Sequence, residues 1–430
     1  MKLNVTQKLL MTLALLMLAT SVAWADYTGY TKNYVTADGL IFRRQFTDED
    51  PSGSTCVLIR PSEGNKEVWA LCYDTGQYKD YAPVPKGTDP EKHVGPEGEK
   101  YQEATYIIPS NFNNYKLVAI AQDAFKENPN IVSITFPDQN VTEIPYEAFY
   151  KCTSLASLNF DGSSIEVIRE GAFKGCTSLK SIDGWGVVHT IRGSRAFGDC
   201  TALEKIVIGK DVMHICGTAF AGDTSVETLI FEDGDKKIQL DAGGGNEGDL
   251  EDMFYGCPIS KIYYGRKMMN NVGDGVLHFH NPCMISSAMK ALEVVNVEFG
   301  EKVDSIRNGF FAYFEPTIKV SAPYTTYIGT YAFSNTKLKG MDAPKIKYID
   351  QYAFEKSTLS DFNFYSVEEI GNYAFQNSRL TNVSLPATLK SVGVSAFDLN
   401  YTSDEENEFG NHDDTSSLRT FTIEDGDEPI

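Results

Sequence analysis

Apolar positions along this chain follow two rhythms that recur together, one built around an Ala-Phe dipeptide and one of period two. The dipeptide ends at Phe125, Phe149, Phe173, Phe197, Phe220, Phe333, Phe354, Phe375 and Phe397. The first five copies are spaced 24, 24, 24 and 23 residues apart, the last four 21, 21 and 22. Five residues before the Phe stands Ile120, Ile144, Ile168, Ile215, Ile328, Ile349, Ile370 or Val392, with Ile191 displaced by one. Five or six after it comes Ile131, Leu155, Leu179, Leu203, Val226, Leu338, Leu359 or Leu380. The spacing then turns to alternation, as in Ile134 and Phe136, Leu158 and Phe160, Ile206 and Ile208, Leu229 and Phe231, Phe362 and Phe364, Val383 and Leu385. Alternation of that kind predicts a half-buried strand.

A unit this short holds one such strand, a return path and turns, and cannot enclose a core alone. Stacking is therefore obligatory. Strands of successive units pair at ~4.8 Å, so about eleven units, counting degenerate ones at Met253-Phe254 and Phe310-Phe311, give a stack on the order of 50 Å long. The pattern predicts a β-rich repeat solenoid over 105–430, right-handed, with mostly parallel strands and no room for a long convex helix. It keeps its period poorly over 241–303, and Trp185 is expected to interrupt the strand of its unit.

Ahead of the repeats, residues 26–104 contain short β-like runs at Ile41-Phe42, Cys56 to Ile59 and Val68 to Tyr73, separated by Gly, Pro, Asp and Ser. They predict a small N-terminal β cap over the first rung. Residues 1–25 read as a cleaved export signal: Lys2 and Lys8, an apolar run from Leu9 to Ala19 broken by Thr12, then Ala23-Trp24-Ala25 before Asp26. Later segments never approach the ~20 apolar residues of a spanning helix, and no transmembrane segment is expected. No cysteine stands at the cleavage region to carry a lipid anchor.

The pattern Ile-x-x-x-Ala-Phe-x-x-Cys-x-x-Leu-x-x-Ile-x-Leu-Pro, intact or nearly so around Ile144 to Phe160 and Ile168 to Ile182, resembles the bacterial leucine-rich repeat of the BspA-like surface proteins. The resemblance covers roughly residues 105 to 425, and the lead-in from Tyr106 to Pro109, followed by Leu117 and Ile120, resembles the start of such arrays. It implies a surface adhesin that contacts host matrix proteins or other cells.

Charge narrows the partners. With 38 Lys plus Arg against 59 Asp plus Glu, the chain carries a formal charge of −21 and repels nucleic-acid phosphates and anionic lipid heads. Catalytic chemistry finds little material: six histidines, no G-x-S-x-G elbow and no H-E-x-x-H. Neither a cofactor nor a metal is expected. His278, His280 and Cys283 offer zinc-type ligands without a fourth. Gly243 to Gly248 matches a dinucleotide fingerprint in letters only, since Asp249, Glu251 and Asp252 follow it, and reads as a loop insertion. Asp404 to Glu408, Asp413-Asp414 and Glu424 to Glu428 fit no EF-hand spacing and read as solvated loops.

Cys152, Cys176, Cys200 and Cys257 share one repeat position, three after the aromatic residue, and are expected to form a ladder of free, inward thiols. The shorter C-terminal units lose a residue in this loop, and the cysteine is expected to go with it. Cys56 and Cys72 fall on adjacent strands of the cap, bridged or free.

The remaining candidate is the strand face. The residue between the two buried strand positions projects outward, giving Thr135, Asn159, Asp183, Val207, Ile230, Tyr263, Lys319, Asp342, Asn363, Ser384 and Thr422. Val207, Ile230 and Tyr263 are apolar at the centre of a polar row. They are either a partner-binding strip or core covered by an insertion at 241–252. The expected function is an exported, non-catalytic binding protein at the bacterial cell surface that contacts protein or glycan through this face. The alternative is a metal-dependent carbohydrate-binding protein or enzyme using the cap and the 241–283 insertion, and a scaffold without a ligand is the third reading.

Overall fold

A computed structural model describes residues 33–35, 40–45, 55–61, 79–80, 104–108, 110–112, 115–129, 131–138, 140–241, 253–269, 292–398 and 418–424. The export segment at 1–25, Cys72, the run from Val68 to Tyr73, the Gly243 to Gly248 loop, and His278, His280 and Cys283 lie outside the described residues, as do the acidic clusters apart from Glu424.

The repeats coil into a solenoid of parallel strands. On one side Ser157–Asn159 pairs with Ile131–Thr135 and with Ser181–Gly184. Lys205–Ile208, Thr228–Phe231, Lys261–Tyr264, Val295–Phe299, Ile318–Ser321 and Leu338–Asp342 follow as a second, six-stranded sheet. Asn382–Leu385 and Thr420–Ile423 close the series. The return side carries shorter strands, such as Glu143–Ile144, Val167–Ile168 and Thr190–Ile191, laddered in register at the Ile that precedes each Ala-Phe. No helix occurs among the described residues. Ahead of the array, Leu40–Gln45 and Thr55–Pro61 pair antiparallel, and the latter runs parallel to Tyr115–Ile120 of the first repeat. The expected runs at Ile41-Phe42 and Cys56 to Ile59 fall within these strands.

The Ala-Phe turn sets the rung spacing. Phe N–H groups donate to the carbonyl of the Ala in the next rung, at 2.7 Å from Phe125 to Ala148, Phe149 to Ala172 and Phe173 to Ala196, and Phe220 N–H donates to Met253, which takes the Ala position in its rung. A longer side chain than Ala at that buried point would push the rungs apart. Two residues before and two after the Phe the chain enters the left-handed region, as at Glu147 (φ 48°) and Lys151 (φ 54°) or Tyr352 (φ 56°) and Lys356 (φ 53°). Such residues cannot propagate a right-handed helix, which keeps the turn to half a coil. The unit of Phe173 uses Gly171 and Gly175 at both places, with φ 63° and 75°.

The rings stack in columns. Phe125, Phe149, Phe173, Phe197, Phe220 and Phe254 stack face to face with centroids 4.7, 5.1, 5.2, 5.3 and 5.7 Å apart. Phe311, Phe333, Phe354, Phe375 and Phe397 form another such stack in the C-terminal half. A second column under the strand face holds Phe136, Phe160 and Trp185, then Phe231, Tyr264 and Phe299.

The strand is interrupted at Trp185 as the sequence suggests, yet the ring itself still completes the core of its rung. A one-residue bulge pairs Asn159 with Gly184, leaves Asp183 exposed, and turns the indole inward beside Phe160. The indole N–H donates to the carbonyl of Val207, and here the strand side divides into its two sheets. A Cβ on Gly209 would come within 2.5 Å of Trp185, so the next rung can accept the indole only with glycine there.

The thiols of Cys152, Cys176, Cys200 and Cys257 are free and buried. Each donates to the carbonyl of the Phe one rung earlier, at 3.0, 3.2, 3.3 and 3.2 Å. Burial pushes all four upward in pKa, Cys152 to about 12, so they stay protonated and unreactive at neutral pH. The shorter units do not simply lose this group. Thr336, Ser357 and Ser378 stand three after their Phe, and the Thr336 hydroxyl donates to the Phe311 carbonyl at 2.7 Å as the thiols do. A thiol reagent added to native protein should leave the four cysteines unmodified, and denaturant should release them. Consecutive disulfides in a peptide map would contradict this ladder.

Candidate functional site

Strand register places Val207, Ile230 and Tyr263 side by side on three adjacent strands. Their neighbours along each strand are core: Ile206, Leu229 and Ile262 on one side, and Ile208, Phe231 and Tyr264 on the other, are at most 3% exposed. The three residues between them are half-buried, so they belong to the outer face. Residues 242–252, the insertion considered as a cover, lie outside the described residues.

The sequence row needs revising beyond Tyr263. Glu298 is the next residue in register, followed by Ser321 and Asp342. Lys319 instead pairs with Asn296 in the parallel outer row that runs through Lys205, Thr228 and Lys261. Asn363 belongs to no strand, although Phe362 and Phe364 around it alternate as a strand would. Glu298 was missed because the repeat period fails between 264 and 318; the signal available was Val295, Val297 and Phe299, which alternate around it.

The strip therefore runs from two aliphatic side chains to a tyrosine and then to a carboxylate. The Tyr263 hydroxyl donates to Asp233 Oδ1 at 2.9 Å. A Cβ on Gly300 would meet the Tyr263 hydroxyl oxygen at 2.3 Å and Asp233 Oδ1 at 2.8 Å, so glycine leaves the space for the pair. Burial, then the Asp233 bond and charge, then Glu298, push the Tyr263 phenol up to about 12. It remains a neutral donor at any physiological pH. Beneath this end of the strip, Arg266 is fully buried and donates to the carbonyls of Gly209 and Lys210, fixing the turn that follows the Val207 strand. Lys205 and Lys261 flank the strip as exposed cations.

This arrangement offers contact area and directed hydrogen bonds. Among the described residues no group of three or more His, Cys, Asp or Glu could hold a metal ion. No described helix is long and apolar enough to cross a membrane.

Comparison with known proteins finds the following similarities. A leucine-rich cell surface protein from Faecalibacterium prausnitzii A2-165 is 15% identical, with 94% of this chain and 97% of that chain covered and a TM-score of 0.35. A leucine-rich repeat protein from Bacteroides ovatus is 18% identical, with 93% and 100% covered and a TM-score of 0.30. The pneumococcal vaccine antigen PcpA is 14% identical, with 84% and 85% covered and a TM-score of 0.31. No curated protein sequence matches. The BspA type leucine rich repeat region matches in six copies over residues 105–242 and 285–403, more than half of the sequence. With its Ala-Phe turns, stacked rings and parallel ladders in the same segments, the chain belongs to the BspA-type leucine-rich repeat family.

Proposed function

We propose that the protein is an exported, non-catalytic binding protein of the bacterial cell surface, an adhesin that contacts host matrix proteins, glycans or other cells through its strand face. Val207, Ile230 and Tyr263 are its anchoring residues. The observation that carries this reading is their register: three adjacent rungs present an apolar or aromatic side chain outward where neighbouring rungs present Asp183, Glu298 and Ser321. Binding energy concentrates in such central anchors when polar groups surround them. The flat, laddered surface suits a macromolecule better than a small substrate.

A pull-down against immobilised matrix proteins and glycan panels identifies the partner. Changing Ile230 to Thr and Tyr263 to Ser together should then abolish attachment while the unfolding midpoint stays near that of the parent, because neither side chain lies in the core columns. A surface of net charge −21 should also favour basic partner regions and bind more weakly as salt rises. A folded double variant that attaches normally would remove the strip from the binding site.

A further inference from the structure

The strand side is discontinuous at one place besides the Trp185 rung. Between Leu338–Asp342 and Asn382–Leu385 one rung, residues 358–364, carries no strand. The six-stranded sheet ends before it and the last two-stranded sheet begins after it. Among the described residues the backbone N–H groups of Asp361, Phe362, Asn363 and Phe364 donate to no backbone carbonyl. The side chains nonetheless keep their columns, since Phe364 is buried and Phe362 packs 5.5 Å from Phe354 and 5.6 Å from Phe375. The rung is held in place by its rings, while the N–H groups of Asp361 to Phe364 find no backbone carbonyl among the described residues.

Over this gap lies an open groove of about 500 Å³. Its rim carries Tyr365, 78% exposed, the most of any large apolar side chain described. The base of that ring is fixed. Tyr365 N–H donates to Asn363 Oδ1 at 2.9 Å, Val367 N–H to the Phe364 carbonyl at 2.9 Å, and the Ser366 hydroxyl to the Pro344 carbonyl at 2.9 Å. The ring is thus displayed with little backbone entropy left to lose on binding.

The walls supply hydrogen-bonding groups of both kinds. Asp361 and Glu424 offer carboxylate oxygens, while Ser384 and the Nδ2 of Asn363 can donate. Asn382 is spent internally, accepting from the Thr420 hydroxyl at 2.8 Å and donating to that of Thr381 at 3.1 Å. Among the described residues no lysine, arginine or histidine lines the groove.

We infer that this groove is a binding site for a neutral oligosaccharide, distinct from the Val207–Ile230–Tyr263 strip. A pyranose has an apolar C–H face that lies against an aromatic ring, and a rim of hydroxyls that each donate and accept. Tyr365 meets the first requirement, and the carboxylates, the serine and the amide meet the second. Two negative charges without a cation turn away sialylated, sulfated and phosphorylated sugars.

The test is saturation-transfer NMR and calorimetry on the whole protein, with neutral gluco-, manno- and galacto-tetraoses as probes and 3′-sialyllactose as the anionic comparator. At least one neutral tetraose should bind with a dissociation constant of roughly a millimolar or tighter, and sialyllactose at least tenfold more weakly. Tyr365→Ala, at an exposed position, should weaken that binding at least tenfold with the unfolding midpoint unchanged. Ser384→Tyr, which fills the groove from a paired strand, should do the same. The Ile230→Thr, Tyr263→Ser double variant should keep the sugar, so failure of the strip as an anchor and failure of the groove are read separately. If no neutral tetraose binds, if Tyr365→Ala binds normally, or if the anionic sugar is preferred, the inference falls.

Discussion

Replacing Phe173 by Ala is expected to remove about 3–5 kcal/mol of stability, a large share of what a folded domain has in hand. The ring is fully buried, with Phe149 and Phe197 stacked on its two faces at 5.1 and 5.2 Å and Phe160 edge-on at 6.1 Å. Collapse around the cavity is blocked, because the rungs above and below are pinned by Phe149 N–H to Ala172 and Phe173 N–H to Ala196, both at 2.7 Å. The lost contacts therefore stay lost. In a solenoid each unit is stabilised only by its neighbours, so a weakened central interface uncouples the two halves. The same change at Phe397, half-buried, stacked on Phe375 at 5.3 Å and met edge-on by Phe364 and Phe421 among the described residues, should cost less. Denaturant midpoints of the two variants test the order. An unchanged midpoint for the Phe173 variant would refute the column.

Much of this fold was legible because identical residues recur at identical steps. Once Ala-Phe returns every 21 to 24 residues, the only arrangement that buries all the rings is one that stacks them. Legibility failed where side-chain pattern and backbone pairing part company. Phe362 and Phe364 alternate like a strand, but the alternation reports only that their rings reach the core; it says nothing of whether the peptide groups between them find partners. The interruption at Trp185 was legible, but the one-residue bulge that returns its ring to the column is invisible to a fixed period. The Val207–Ile230–Tyr263 row was readable within regular units, whereas Lys319 was put in the wrong row because its register depends on Val295–Phe299, in a stretch without the repeat. The Tyr365 groove left no sequence signal, since it arises from an absence of pairing.

One substitution inside the thiol ladder carries the other large effect. Asp223 stands three after Phe220, where its neighbours carry Cys200 and Cys257, and it is fully buried. Its Oδ1 accepts from the Cys200 N–H at 2.8 Å, but its Oδ2 has no partner. Burial pushes the carboxyl well above the usual range, and Asp199 adds to that; the Cys200 N–H and Arg195 oppose it without reversing it. The folded protein therefore holds the proton, while the unfolded chain releases it above about pH 4. A group raised in this direction leaves stability intact below its unfolded pKa and drains it as pH climbs toward the folded value, by about 1.4 kcal/mol for each unit in between. Asp223→Asn keeps an oxygen for the Cys200 N–H and has no proton to lose. Asp223→Cys restores the residue of the adjoining rungs. Both variants should be more stable than the parent at pH 7 by up to about 4 kcal/mol, and the advantage should narrow on acidification toward pH 4. Denaturation midpoints of the three proteins at pH 4.5, 6 and 7.5, each value about half a unit or more clear of the unfolded carboxylate, decide it. An advantage that stays flat with pH, or grows toward acid, would show that Asp223 is ionised within the ladder and that an unseen cation or solvent path satisfies it.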